Sequence, residues 1–336
     1  MVVPTWNGAR FLPTCLDALR QQRARSFEVI VVDDGSTDDT KAVLARYPEV
    51  RVVALRRNRG FAAAVNAGIR AARADVIVLL NNDTQAEPGW LAALTDALDA
   101  CPAAGMATSK VLLFNRREVL HTTGDTVDLA GFAANRGVWE RDVGQYDRSP
   151  DVFGASGAAG AYRRALLDDV GPLCEAFGSY LEDVDLAWRA RLAGWTCVFV
   201  PRAVVYHHVS ATGGGALASY LVARNRFWLL ARNYPLPLLR RHWRRVAAAQ
   251  ARVARAALVN WRGAAARATL RGQLVGLLTW PRMLRERRRI QALRRVDDRL
   301  LEAVLQSRCQ GERHTGGDAT GTRTGVGEGA SPTQLD

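Results

Sequence analysis

Val76-Ile77-Val78-Leu79-Leu80-Asn81-Asn82-Asp83-Thr84 is the stretch on which the reading of this chain turns. Its first five residues are an apolar, β-branched run with the length of a buried strand. Two amides and a carboxylate follow at once, at what would be the strand's C-terminal edge. In open α/β sheets ligands bind at that edge. A hard divalent cation takes oxygen ligands, and one or two carboxylates with substrate phosphates commonly hold Mg2+. Alone, Asn-Asn-Asp after a strand fits a turn with capping side chains equally well, so the flanking segments decide.

The first ~100 residues alternate strand and helix patterns, which predicts an α/β fold with a mostly parallel sheet and crossover helices. Met1-Val2-Val3 reads as the end of a first strand, Phe27 to Val32 as a second and Arg51 to Leu55 as a third. Helices are expected over Phe11 to Leu19, Phe61 to Ala72 and from Pro88 to about Asp99. Asp33-Asp34-Gly35-Ser36-Thr37-Asp38 closes the second strand, and Thr37 or Asp38 can cap the next helix. Residues 110–150 read as a variable β-rich insertion. Beyond it come a strand at Ala158 to Tyr162, a helix at Arg163 to Val170, and the polar cluster Glu182-Asp183-Val184-Asp185 entering another helix. Thr196 to Val200 is a strand, followed by Val204-Val205-Tyr206-His207-His208.

The 336 residues suffice for one large domain or a domain with an appendage. No apolar run approaches the ~18 residues of a membrane-spanning helix, and no signal peptide is expected behind Met1. The five cysteines are scattered without a Cys-x-x-Cys, which excludes a zinc or disulfide framework and favours a reduced, cytoplasmic location. The net charge of +13 is localised: residues 240–295 hold 16 Arg and one Glu, whereas residues 1–239 hold 26 basic and 25 acidic side chains. A nicotinamide-dependent oxidoreductase is excluded, because no Gly-x-Gly-x-x-Gly follows the first strand.

Five motifs occur in order: Val3-Pro4-Thr5-Trp6-Asn7-Gly8, Val31-Val32-Asp33-Asp34-Gly35-Ser36-Thr37-Asp38, Asn58-Arg59-Gly60-Phe61-Ala62 with Asn66, Leu80-Asn81-Asn82-Asp83, and Glu182-Asp183-Val184-Asp185-Leu186 with Arg189. Together they resemble glycosyltransferase family 2 and its GT-A fold, a Rossmann-like nucleotide-diphospho-sugar transferase sheet. They are most similar to the rhamnosyltransferase-like and galactofuranosyltransferase-like branch. The resemblance covers about residues 1–235. It implies an inverting, metal-dependent transfer from a UDP- or dTDP-sugar, dTDP-rhamnose among them, to a cell-surface polysaccharide or a polyprenyl-linked glycan.

The resemblance implies that Asp34 accepts a hydrogen bond from N3–H of uracil or thymine. Asp33 and Asp34 can also simply start a turn. Pro4 and Thr5 would flank the base, with Asn7 and Asn58 in the same nucleotide site; Asn7-Gly8 also fits a tight turn. Asp83 would hold Mg2+ or Mn2+ across the diphosphate, where the metal stabilises the departing charge. Asn81 and Asn82 replace the carboxylates of the acidic form, so metal binding is expected to be weak and to depend on the donor phosphates. Asn82 is expected at the ribose or at metal-bound water. An inverting transfer needs a base for the acceptor hydroxyl. The resemblance assigns that role to Asp183, with Glu182 binding the acceptor or raising the pKa of Asp183 by like-charge proximity. Asp185 reads as a helix N-terminal acid that pairs with Arg189.

His207 begins His207-His208-Val209-Ser210-Ala211-Thr212, similar to a family pattern His-x-x-Ser-x-Ser/Thr whose histidine ligates the metal or diphosphate; this favours His207 over His208. Gly213-Gly214-Gly215 reads as a loop that closes over phosphates or as a plain linker. Gly157-Ala158-Ala159-Gly160 either lets substrate approach the backbone or allows tight strand packing. Tyr220 and Arg224-Asn225 resemble a family element that could close the diphosphate site.

The expected organisation is a transferase domain over 1–235, an Arg-rich amphipathic helical segment over 236–305, and a disordered tail over 306–336 whose Gly/Thr/Ser-rich composition buries too little surface to fold. Arginine with interspersed Trp and Leu predicts a peripheral hold on an anionic membrane, at the cytoplasmic face. A solvated or oligomer-forming helical face is the alternative, and nucleic acid is disfavoured, since no base-reading module is present. The family resemblance also places several residues ahead of the first strand, so a start upstream of Met1 is expected. The competing functional reading is a non-catalytic, membrane-associated scaffold that keeps the GT-A fold.

Overall fold

The computed structural model describes residues 1–24, 26–209 and 215–306. Strands β1 (Val2–Thr5), β2 (Ile30–Asp33), β3 (Arg51–Ala54) and β4 (Val76–Leu80) are parallel, in the order β3-β2-β1-β4. Helices α1 (Leu12–Arg20), α2 (Thr40–Leu44) and α3 (Phe61–Ala71) make the crossovers. The apolar runs go where a doubly covered sheet needs them: Val2, Ile30 and Leu79 face one core cluster, Val3, Val31 and Val78 the other. The second strand starts at Ile30 rather than Phe27, because Phe27 is exposed.

After the short β5 (Thr84–Ala86) and α4 (Trp90–Ala100), β6 (Ala104–Leu113) crosses the molecule. Its hairpin partner β7 (Arg116–Thr122), the ribbon β8 (Asp125–Val127) with β9 (Ala133–Asn135), and β10 (Asp151–Val152) make up the expected β-rich insertion. β11 (Ala159–Arg163) runs antiparallel between β4 and β6. Helices α5 (Arg164–Val170) and α6 (Glu182–Leu192) lead to β12 (Thr196–His207), which lies parallel to β6 and antiparallel to β5.

The C-terminal segment is five helices: α7 (Gly215–Arg232), α8 (Leu236–Val259), α9 (Ala264–Leu278), α10 (Trp280–Ala292) and α11 (Asp298–Gln306). Helix α7 packs along α9, and Leu238, Val246, Met283, Ile290 and Leu305 join the same core cluster as α6. These helices therefore share a hydrophobic core with the sheet. None of the described helices is long and apolar enough to cross a membrane. Ser210 to Gly214 and the tail from Ser307 lie outside the described residues, and the readings made for them with it.

Candidate active site

β1 lies between β2 and β4, so the strand order reverses there, and all three end at one edge. Thr5, Asp33, Asp34, Asn82 and Asp83 follow from that topology, each ending or just following one of these strands. Beside them opens a cleft of about 970 Å3. Such a volume takes a ligand the size of a nucleotide sugar.

One end of the cleft is built by strand register. β12 runs antiparallel to β5 with His207 opposite Thr84, which sets the imidazole beside Asp83. His207 Nε2 lies 3.1 Å from Asp83 Oδ1, yet that buried oxygen takes no hydrogen bond. The two atoms are close without being aligned as donor and acceptor. Cis ligands about 2.1 Å from one octahedral ion lie about 3 Å apart, so this pair fits two positions around a single Mg2+-like ion. Among the described residues no three His, Cys, Asp or Glu side chains converge to hold a metal. Donor phosphates and water would have to supply the remaining positions, as Mg2+ usually prefers. His208 stacks on Phe114 instead, with ring centres 3.6 Å apart.

The residues expected to hold the nucleotide are mostly engaged with backbone. Asp34 is buried, and its Oδ1 and Oδ2 accept the Arg59 and Gly60 N–H groups, both at 2.8 Å. Burial raises its pKa against the pull of these two amides. Each oxygen keeps a further lone pair for a base N–H. Asp33 Oδ1 accepts the Ser36 N–H at 2.9 Å and holds the turn. Asn7, at φ 50°, accepts from the Thr37 N–H and joins the loops after β1 and β2. Asn58 Oδ1 accepts the Gly60 N–H at 3.0 Å, and Pro4 is buried within β1. Asn82 is buried at the end of the same edge. It turns into the protein, where Nδ2 donates to Thr5 Oγ1 at 2.8 Å. Gly8 faces both groups, and a Cβ there would sit 2.2 Å from Thr5 Oγ1 and 2.3 Å from Asn82 Nδ2. Asn82 thus braces the strand edge.

The other end of the cleft is carboxylic. Asp183 Oδ2 accepts the Gly157 N–H at 2.9 Å and Oδ1 the Val184 N–H at 2.8 Å. A Cβ on Gly157 would lie 2.9 Å from Asp183 Oδ2, so the small residue permits the contact. Burial raises the Asp183 pKa against these amides. Glu182 is raised well above its ordinary value by burial and then by Asp183. Asp185 belongs to the scaffold: Arg189 Nε at 3.0 Å and Arg232 Nε at 2.9 Å hold it ionised against its burial.

The acids are aimed by a strained turn. Tyr180 and Leu181, immediately before Glu182, both sit at φ 68° although neither is glycine. Such left-handed residues persist only where their surroundings hold them. Asn225 of α7, fully buried, does so: its Nδ2 donates to the Tyr180 carbonyl at 2.7 Å and to that of Ser179 at 3.1 Å. Arg224 Nε fixes the amide from its other side, donating to Asn225 Oδ1 at 2.9 Å. Arg224 and Asn225 therefore act on the turn before the acids.

Sequence reasoning missed three polar groups. His121 Nδ1 lies 3.2 Å from His207 Nδ1, and burial followed by His207 pushes its pKa down to about 3. It is neutral and can fix the ring of His207, as partners behind a metal ligand do. Asp125 and Asn135, paired across β8 and β9, line the cleft wall. All three lie in the insertion, where no strand-end motif marks them.

Solved structures with this fold are glycosyltransferases of the GT-A class. GalNAc-T7, solved with UDP, GalNAc and Mn2+, superposes at TM-score 0.56 and 17% identity, over 68% of this chain and 46% of that one. The mannosyltransferase PcManGT of Pyrobaculum calidifontis, solved with GDP-Man and Mn2+, gives TM-score 0.51 and 18% identity over 94% and 80%. At such identities the likeness shows the fold alone. Sequence carries the relationship further. The N-acetylglucosaminyl-diphospho-decaprenol L-rhamnosyltransferase of Mycobacterium tuberculosis is 32% identical over 248 residues, 67% of this chain and 81% of that protein. The family model for glycosyl transferase family 2 matches residues 1–171. The chain belongs to glycosyl transferase family 2.

Proposed function

We propose that this chain is an inverting, metal-dependent glycosyltransferase that takes a pyrimidine nucleoside diphosphate sugar, dTDP-rhamnose first among candidates. The acceptor is a polyprenyl-diphosphate-linked N-acetylglucosamine or a similar lipid-linked glycan. The name of the mycobacterial relative motivates both choices. The observation that carries the reading is one cleft lined by both the Asp83–His207 pair and the desolvated Asp183.

In this reading Asp34 takes the base N3–H, and Asp83 and His207 hold Mg2+ or Mn2+. When bound, the ion supplies Lewis-acid stabilisation of the leaving diphosphate. Asp183 accepts the acceptor hydroxyl proton at its carboxylate. Its raised pKa makes it a stronger base than a solvated aspartate while it remains ionised. The two backbone N–H groups on its oxygens keep it aimed.

A membrane-bound acceptor also gives the C-terminal helices a role. Trp243, Leu258, Trp261, Leu274 and Leu278 are exposed there among the arginines. Apolar side chains beside cations suit an anionic bilayer surface, and the reading places the protein on the cytoplasmic face.

Calorimetry on the full chain tests the donor and the metal together. UDP, dTDP, GDP, dTDP-rhamnose, UDP-galactofuranose and UDP-glucose are titrated with and without Mg2+ or Mn2+. Metal-dependent binding of one pyrimidine diphosphate sugar is expected. Folded protein that binds none of them overturns the proposal.

A further inference from the structure

Two carboxylate oxygens in the cleft have no partner. Asp125 Oδ2 and Glu182 Oε2 are both buried, and neither takes a hydrogen bond. Both residues line the cleft, at 3% and 5% exposure. Buried polar atoms are nearly always paired, so two orphans on acids that line one cavity need a reason. Backbone does not supply it. The Asp125 N–H donates to the Gly154 carbonyl at 2.9 Å and its own carbonyl accepts the Phe153 N–H at 3.0 Å. These bonds to the segment after β10 fix the residue while leaving its side chain unmatched.

The neighbours of Asp125 say which end of the cleft it serves. The charges that act on it are Asp183 and Glu182. His121, by contrast, feels His207 and Asp83. Asp125 therefore sits with the acids and away from the Asp83–His207 pair. A cation does not suit the three acids, since among the described residues no such trio has metal-holding geometry. Hydroxyl groups do, because each can donate to a carboxyl oxygen and can also accept from a protonated one.

We propose that Asp125 and Glu182 form a hydroxyl-binding subsite that grips the acceptor sugar through hydroxyls adjacent to the one Asp183 deprotonates. The proposal rests on the reading of Asp183 as the base. It makes the β8–β9 ribbon, an insertion in the sheet, a determinant of acceptor choice. A sugar whose reacting hydroxyl lies at Asp183 carries its neighbouring hydroxyls toward the flanking carboxyls, which have both donor and acceptor capacity to offer them.

The test uses full-length protein, the donor found by calorimetry, and N-acetylglucosamine diphosphate on a short prenyl chain. Mono-deoxy versions of that probe, each lacking one hydroxyl, are run beside it. Asp125→Asn and Glu182→Gln preserve shape; donor affinity is measured on each as a control for folding. The expected result is an acceptor KM raised about tenfold or more, the loss of one hydrogen bond to a charged group, with donor Kd unchanged within about twofold. One deoxy probe should be poor with wild type and no worse with Asp125→Asn. An unchanged acceptor KM in an active variant overturns the subsite alone. A rise in donor Kd instead reassigns Asp125 to the donor and also overturns it. Wild-type protein that binds donor but neither binds nor glycosylates the probe overturns the acceptor reading and the subsite together.

Discussion

Replacing Asn225 by leucine removes the clamp on the turn before Asp183 while keeping the number and branching of the side-chain heavy atoms. The Asn225 amide donates to the Ser179 and Tyr180 carbonyls. Two such bonds contribute about 2 kcal/mol net. They oppose two left-handed, non-glycine residues, Tyr180 and Leu181, whose strain is about 1–2 kcal/mol each. Clamp and strain are thus of the same size, and without the clamp the turn should relax. A shift of about 2 kcal/mol lowers the population of the aimed state about 30-fold. In Asn225→Leu, kcat should fall by about that factor while donor Kd, which the proposed reading assigns to Asp34, Asp83 and His207, stays within about threefold. Melting followed by circular dichroism should show a loss of about 3 °C for a chain of this size. Adding Leu181→Gly removes strain at one position and should recover part of kcat without recovering stability. Initial rates at saturating donor and acceptor decide the matter. A variant that melts lower but keeps kcat within about threefold refutes the positioning argument and leaves Asn225 a purely structural residue.

Asp183→Asn should lower transfer by at least about 10³-fold with donor affinity little changed, measured by product formation and calorimetry; activity within about tenfold of wild type removes Asp183 as the base. Asp125→Asn should be more stable than wild type near neutral pH by on the order of 1–3 kcal/mol, since an unpartnered buried acid is costly. The sign follows from the raised folded pKa of Asp125, ordinarily 3.8: its stabilising contribution is complete below that value and is lost as pH climbs through the folded one. The gap between variant and wild-type melting temperatures should therefore open as pH rises from about 4 to 8, and a constant gap contradicts the burial argument. The full chain should sediment with phosphatidylglycerol vesicles but not with phosphatidylcholine ones, and salt should release it; replacing Trp261 and Leu278 by serine should weaken the binding. Equal binding to both vesicles counts against the anionic-surface reading.

Much of the fold was legible because its signals are local. Val76 to Leu80 is apolar and β-branched, so it could only be a covered strand, and the polar residues after it had to fall at an edge. The same logic put Asp34 after β2 and the acids at the start of α6. Helix existence followed from the apolar spacing, as in Phe61–Ala71, where Val65 and Ile69 are buried. Strand limits were less legible. Whether Phe27 belongs to β2 depends on what covers it, and nothing does.

The sequence by itself determined the alternating α/β order, the family motifs and the identity of the strand-end polar residues. Each rests on neighbours a few positions apart. Tertiary structure alone decided which polar groups share a cavity. His121 meets His207 across 86 residues, and Asn225 reaches Tyr180 across 45. Asp125 enters the field of Asp183 only because β8 lies along the cleft. Asn82 is tied to Thr5, 77 positions away, by a side-chain hydrogen bond. Periodicity specifies a face, but the partner on that face is set by how the sheet and the insertion fold together, and desolvation, which sets the acidities here, exists only once they have.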